Sequence, residues 1–198
     1  MATVNQWIAG TRPRTLPAAI SPVVVGAGLA VFDLVQSRER VLTLSHFVSG
    51  ALALLVALAL QIGVNFANDY SDGVRGTDQT RLGPVRLVGQ GLAEAAAVKR
   101  AAWLSFFLAA VFGLALVLIT GQWLLLIVGA LAIVSAWFYT GGKNPYGYRG
   151  LGEVFVFVWF GLAAVLGTEY VISSELNRWS LPMAVASGGF ACALLVVN

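Results

Sequence analysis

Charged residues are scarce in this 198-residue chain. They make up 11% of it, whereas hydrophobic residues make up 59%. Soluble domains carry about 25% charged residues, so this balance excludes an ordinary soluble domain and indicates an integral membrane protein. The formal net charge of +3 is too small for a nucleic-acid surface, and no basic run is interleaved with stacking aromatics. We therefore expect no nucleic-acid partner.

Cysteine and histidine occur once each. Cys192 has no second cysteine to pair with, so an internal disulfide is excluded. His46 stands alone before an apolar run, and we interpret it as an interfacial residue. The carboxylates Asp33, Glu39, Glu169 and Glu175 are predicted to lie toward the outer membrane face, and no role is assigned to them.

Apolar runs predict an all-α fold, a polytopic transmembrane helical bundle with about six spans. These cover residues 16–35, 47–70, 101–119, the stretch between the turn at 120–122 and residue 139, 151–171 and 181–197. Basic residues are concentrated on one side of the predicted membrane: Arg12, Arg14, Arg75, Arg81, Arg86, Lys99, Arg100, Lys143 and Arg149. By the positive-inside rule this side is cytoplasmic, which places the N-terminus and both polar loops, 71–99 and 140–150, inside the cell.

A polar stripe ends the second span. Its members are Gln61, Asn65, Asn68, Asp69 and Asp72, spaced by one to four residues so that they share one face of a helix. Polar groups within a span are costly unless a cation lies against them. Oxygen ligands at this spacing suit Mg²⁺, which commonly shares its coordination with substrate phosphates. Arg75, Arg81 and Arg86 follow and are predicted to bind the same phosphates.

The simpler interpretation is that Asn, Asp, Ser and Gly merely end a helix here, with Gly73 as its C-terminal cap. Capping explains Asp72 and Gly73, but it leaves Gln61, Asn65 and Asn68 without a role one to three turns earlier.

The second polar loop offers further diphosphate ligands at the same membrane face. Lys143 and Arg149 supply positive charge, and Tyr139, Tyr146 and Tyr148 supply hydroxyl donors. The alternative is an interfacial belt of aromatic and snorkelling basic residues. Glu153, just inside the next span, is a candidate base or a partner that supports one of the binding residues.

Four separated motifs resemble one known family across essentially the whole chain. Asn68-Asp69-x-x-Asp72 resembles the first aspartate-rich motif of the UbiA-type intramembrane prenyltransferases. The strings Arg-Pro-Arg-Thr-Leu-Pro (12–17), Gly-Pro-Val-Arg-Leu-Val (83–88) and Tyr-Thr-Gly-Gly-Lys-x-Pro-Tyr-Gly-Tyr (139–148) resemble the branch of this family that prenylates 1,4-dihydroxy-2-naphthoate in menaquinone biosynthesis.

The resemblance implies that Asn68 and Asp72 contact Mg²⁺–diphosphate, with Asn65 and Asp69 supporting them. It also implies that the following residues hold the diphosphate or the aromatic acid: Arg81, Arg86, Lys143 and Tyr139, with Tyr146, Arg149 and Glu153 as further binding candidates. The family's third aspartate position is Gly76 here, so Asp78, the next acid, is ranked below Asp72 as a metal ligand.

The implied enzyme is a Mg²⁺-dependent 1,4-dihydroxy-2-naphthoate polyprenyltransferase of the bacterial cell membrane. It would ionise a polyprenyl diphosphate, let the aromatic ring attack the allylic cation, and release carbon dioxide to give demethylmenaquinone. Other UbiA-type aromatic prenyltransferases are the alternative. A CDP-alcohol phosphotransferase fits less well, because Gly76-Thr77 stands where that family has Ala-Arg. A cation transporter also fits less well, because transporters place their acids near the membrane midplane, whereas these acids cluster at one face.

The resemblance also implies a fold of about nine helices with a second aspartate-rich motif after the sixth. We therefore expect residues 1–198 to be a single integral membrane prenyltransferase domain that is incomplete at its C-terminus. Prenyl chain length and oligomeric state do not follow from the sequence.

Overall fold

The computed structural model describes residues 2–36, 41–77 and 84–197, and within these ranges all regular structure is helical. The helices are α1 (Val4–Gly10), α2 (Leu16–Gln36), α3 (Leu44–Arg75), α4 (Ala95–Thr120), α5 (Leu124–Phe138), α6 (Gly152–Ser173) and α7 (Ser180–Val197). Helix α6 contains a π-helical stretch, Phe157–Ala163, and short 3-10 turns occupy Pro13–Thr15 and Tyr146–Arg149.

Five segments are long and apolar enough to cross a membrane: Val4–Gln36, Leu44–Arg75, Ala95–Thr120, Gly152–Ser173 and Ser180–Val197. Helix α5 is also apolar but has only 15 residues, about 22 Å of helix, less than the roughly 30 Å of a bilayer core. Large apolar side chains point out of the bundle, as expected where lipid surrounds it. The structure therefore confirms the all-α membrane bundle, with α5 as the short member of the six predicted spans.

Glycines let the helices pack closely, as is common between membrane helices. A Cβ atom on Gly26 of α2 would lie 2.4 Å from a carbonyl oxygen of α6, and one on Gly161 of α6 would lie 2.6 Å from Cα of Gly188 in α7. Between α3 and α4, the ring of Phe106 occupies the space beside Gly63. These contacts pack α2 and α7 against α6, and α4 against α3.

Helix α3 is longer than the predicted second span, because it continues past Tyr70 to Arg75. Its C-terminal cap is Gly76, whose φ of 74° places it in the left-handed region that favours glycine. The interpretation of Gly73 as the cap was therefore wrong. Asp72 consequently lies within the helix, on the same regular face as Asn65 and Asn68.

The opposite end of the bundle is held by a buried acid for which the sequence suggested no role. The carboxylate of Glu169 in α6 is fully buried and accepts hydrogen bonds from the Ser180 hydroxyl (2.9 Å) and the Asn177 backbone amide (3.3 Å). The Asn177 side chain donates to Asp33 near the end of α2 (2.8 Å). This network ties the α6–α7 turn to α2, far from the polar stripe.

Candidate active site

A large chamber lies among helices α2 to α7. Its volume is about 1270 Å³, and along α3 its wall runs from Ala53 to Asp72, about 28 Å of helix axis. Most of the wall is apolar, supplied by residues such as Val56, Leu116 and Leu126. Polar side chains are concentrated where α3 ends and α2 begins. The chamber is therefore a long apolar space with one polar end.

Four members of the predicted polar stripe line this chamber: Gln61, Asn65, Asn68 and Asp72. All four are buried from solvent by the surrounding helices. The fifth member, Asp69, is also buried but is not part of the chamber wall. The helical spacing thus brought four of the five side chains to one face, and the structure separates Asp69 from them.

Asn68 and Asp72 form the centre of the polar end. The Asn68 side-chain oxygen accepts a hydrogen bond from the Thr140 hydroxyl (2.7 Å), and the Asp72 carboxylate accepts one from the Tyr148 hydroxyl. An Arg86 guanidinium nitrogen lies 3.9 Å from the other Asp72 oxygen. Residues from both polar loops therefore meet the end of α3, as the sequence predicted.

Asp69 binds the first polar loop instead of facing the chamber. Its two carboxylate oxygens accept hydrogen bonds from the backbone amides of Leu87 (2.7 Å) and Val88 (3.1 Å). The loop packs tightly beside it, because a Cβ atom on Gly73 would lie 2.5 Å from the Val88 side chain. Asp69 therefore fixes the backbone that carries Arg86 next to Asp72. The metal-ligand role of Asp69 stays a prediction, and its carboxylate lies outside the chamber lining.

Arg75 also holds a polar loop against α3. Its guanidinium donates hydrogen bonds to the backbone carbonyls of Thr140 and Gly142 and lies 5.6 Å from the centre of the Tyr148 ring. These contacts join the second polar loop to the last turn of α3. The structure therefore directs Arg75 toward this loop, whereas the sequence suggested a phosphate ligand.

Three tyrosines of the second loop line the chamber: Tyr139, Tyr146 and Tyr148. The Tyr146 hydroxyl donates to the Ser135 carbonyl (2.7 Å), and burial raises its pKa well above the ordinary value for tyrosine. Partial burial, and then the hydrogen bond to the Asp72 carboxylate, raise the pKa of Tyr148 above 10.0. Both hydroxyls therefore stay protonated at neutral pH, and Tyr148 remains a donor to Asp72.

The remaining predicted site residues are not brought into the chamber wall. Lys143, Arg149 and Glu153 are exposed and lie outside the lining, so their roles stay predictions. Asp78 and Arg81 lie outside the described residues.

The sequence reasoning missed the contribution of the segment before α2. Arg12 adopts a left-handed backbone (φ 52°), and its carbonyl accepts hydrogen bonds from both the backbone amide and the hydroxyl of Thr15 (both 2.9 Å). Thr15 in turn contacts the polar stripe. The motif at residues 12–17 overlaps this segment and is the sequence signal that points to it.

The donor set at the polar end fits Mg²⁺. The chamber offers the Asp72 carboxylate and the Asn68 side-chain oxygen, which retains a second lone pair beside its bond to Thr140. No cluster of three or more His, Cys, Asp or Glu side chains occurs in the part of the chain that the structure describes. Mg²⁺ needs no such cage, because it is commonly held by one or two side chains, water and substrate phosphates.

Comparison with known proteins agrees with this architecture. Residues 19–198 match the UbiA prenyltransferase family. The chain is 51% identical over its whole length to the 1,4-dihydroxy-2-naphthoate octaprenyltransferase of Mycobacterium tuberculosis, of which it covers 64%. It is 38% identical to the Escherichia coli protein of that name, covering 63% of it. It is also 28% identical to a 2-carboxy-1,4-naphthoquinone phytyltransferase of Synechocystis, covering 60% of it.

The chain thus spans a little less than two thirds of the length of these relatives. No solved structure gives a significant match to it. The family match begins within α2 and extends over the later membrane-spanning helices and both polar loops. The chain belongs to the UbiA prenyltransferase family.

Proposed function

We propose that this protein transfers a polyprenyl group from polyprenyl diphosphate to 1,4-dihydroxy-2-naphthoate. The observation that carries the proposal is the chamber, in which Asn68, Asp72 and Arg86 lie at one end of a long apolar space. Such a space suits a ligand with a charged head and a long hydrocarbon tail. The names of the relatives support this aromatic acceptor.

The polar end supplies groups for an anionic head. Asn68 and Asp72 are the residues that would hold Mg²⁺, and Arg86 approaches from the facing loop to contact diphosphate oxygens. A bound Mg²⁺ would stabilise the negative charge of the departing diphosphate. Tyr148 fixes one oxygen of Asp72 through its hydrogen bond, which keeps the carboxylate oriented.

The apolar length of the chamber suits the prenyl chain and its reaction. In the proposed reaction the bond between C1 and the diphosphate oxygen breaks, and its electron pair leaves with the diphosphate. An electron pair of the aromatic ring forms the new carbon–carbon bond. The carboxylate leaves as carbon dioxide, and the electron pair of its bond to the ring returns to the ring. The product is a prenylated naphthoquinol whose oxidised form is demethylmenaquinone. Exclusion of water by the apolar walls protects the allylic cation from hydrolysis.

We further propose that the polar end faces the cytoplasm of a bacterial cell, in its plasma membrane. Among the described residues, this end carries four arginines: Arg12, Arg14, Arg75 and Arg86. Arg178 lies at the opposite end, directly after Asn177 of the buried Glu169 network. This distribution agrees with the positive-inside rule, and it exposes the site to phosphorylated metabolites.

Product analysis tests the substrate assignment. Membranes containing the full-length protein are incubated with polyprenyl diphosphates of several lengths and with 1,4-dihydroxy-2-naphthoate or 4-hydroxybenzoate. We expect a prenylated naphthoquinol and release of carbon dioxide from the naphthoate carboxyl group. Preferential prenylation of 4-hydroxybenzoate with the carboxylate retained would overturn the assignment.

A further inference from the structure

A network of side-chain amides lies in the chamber wall one to three turns from Asp72. The Gln61 side-chain nitrogen donates to the hydroxyl oxygen of Thr15 (3.1 Å) and to the side-chain oxygen of Asn65 (3.3 Å). The Asn65 side-chain nitrogen donates to the Thr11 carbonyl (2.8 Å) and to the same Thr15 oxygen (3.0 Å). Both amides thereby hold the segment before α2 against α3.

Two backbone carbonyls fix the orientation of these amides. The Thr15 hydroxyl proton is directed to the Arg12 carbonyl, so the Thr15 oxygen can only accept from Gln61 and Asn65. The Thr11 carbonyl likewise requires a donor, which is the Asn65 nitrogen. Rotating either amide by 180° would place an oxygen against one of these acceptors. The side-chain oxygen of Gln61 must therefore point away from the network.

That oxygen is buried and has no hydrogen-bond partner among residues 2–36, 41–77 and 84–197. Gln61 is 7% exposed and lines the chamber. An unpaired carbonyl oxygen in a largely apolar wall costs free energy, so a ligand that brings a hydrogen-bond donor to this point is favoured.

We propose that Gln61 binds a ring hydroxyl of the aromatic substrate, an assignment that rests on the proposed function. The two substrates differ in what they can offer to an acceptor. An ionised prenyl diphosphate has no donor, whereas the dihydroxynaphthoate has two phenolic hydroxyls. Gln61 precedes Asn68 by seven positions, about 10 Å along α3. An aromatic acid stacked below the diphosphate therefore reaches it.

The test is a comparison of ligands in two variants of the full-length protein. Gln61→Met keeps the size of the side chain and removes the acceptor. Gln122→Met makes the same change at the turn before α5, remote from the chamber's polar end, and is the matched control. Dissociation constants are measured by calorimetry for 1,4-dihydroxy-2-naphthoate, for its two analogues that each lack one ring hydroxyl, and for polyprenyl thiodiphosphate.

We expect Gln61→Met to weaken binding of the dihydroxy acid about three- to tenfold, the range for one neutral hydrogen bond. Wild-type protein should show the same loss for one of the two analogues, and Gln61→Met should bind that analogue and the parent acid equally. The thiodiphosphate should bind both proteins alike, and Gln122→Met should match wild type.

Two results would overturn the assignment. One is that Gln61→Met still distinguishes the parent acid from both analogues as wild type does. The other is an equal loss of affinity for the thiodiphosphate, which would mean that the amide network collapsed. Transfer of prenyl groups to the naphthoate by the wild-type protein is scored separately. Absence of this transfer would refute the proposed function, whereas the affinities for the two analogues test only the role of Gln61.

Discussion

Replacing Asp69 should release the first polar loop from α3. The carboxylate accepts two backbone N–H bonds, from Leu87, which is fully buried, and from Val88, which is half-buried. The adjacent Arg86 is the residue that this loop brings to Asp72. Asp69→Asn keeps the shape of the side chain but removes its charge, and it turns an N–H₂ group toward one of the two amides.

The magnitude follows from these bonds. Losing one hydrogen bond to a charged acceptor costs about 1.5–3 kcal/mol. Because about 1.4 kcal/mol corresponds to a factor of ten, the loop should open about 10- to 150-fold more often. Asp69→Ala leaves both amides without a partner and should have a larger effect, about 2–4 kcal/mol. The Michaelis constant for prenyl diphosphate should rise about tenfold as Arg86 loses its position.

Hydrogen exchange followed by mass spectrometry measures this opening directly. Peptides covering residues 84–93 should exchange faster in Asp69→Asn, in the absence of metal and substrate. Asp33→Asn is the matched control, since it makes the same chemical change at the opposite end of the bundle, where Asp33 binds Asn177, and should leave exchange of these peptides unchanged. Unaltered exchange in Asp69→Asn, together with a large increase in the Mg²⁺ concentration needed for activity, would refute the loop-anchor argument and favour a metal-ligand role.

Two further predictions concern the centre of the site. Asp72→Asn should reduce prenyl transfer to near background while the protein remains folded, and excess EDTA should do the same to the wild-type enzyme; turnover in EDTA would refute the metal proposal. Tyr148→Phe should lower activity about tenfold through loss of one charge-assisted bond. Because the folded-state pKa of Tyr148 is raised above 10.0, its donation to Asp72 persists below that pH and is lost only as pH rises through the raised value. The ratio of variant to wild-type rates, measured from pH 6 to 9, should therefore be constant.

Patterns of short range were enough to predict much of this architecture. Apolar runs located the helices, since a membrane span must satisfy its backbone internally and be apolar on its lipid face. Spacing by three and four residues correctly placed Gln61, Asn65, Asn68 and Asp72 on one chamber face. The helix boundary was less accurate: the cap is Gly76 instead of Gly73, because the Asn-Asp-Tyr-Ser-Asp-Gly string is compatible with both a turn and a helix.

Contacts across long sequence separations were not predictable in this way. Nothing near Asp69 in the sequence shows that its oxygens bind amides 18 and 19 residues later. Arg75 binds carbonyls 65 and 67 residues later, which spacing within one helix cannot reveal. Glu169 was placed toward the outer face by its position in a span, but its burial depends on how α2, α6 and α7 meet.

Helix α3 joins most of these distant contacts, and this explains why its polar residues have different tasks. Gln61 and Asn65 hold the segment before α2, and Asp69 holds the first polar loop. Asn68 and Asp72 meet the second loop through Thr140 and Tyr148 but keep oxygens toward the chamber. The residues facing the chamber can stabilise ligand charge only where their partners fix them in place. Substitution of an anchoring residue should therefore change loop order before it changes metal dependence, whereas substitution of Asp72 should do the reverse.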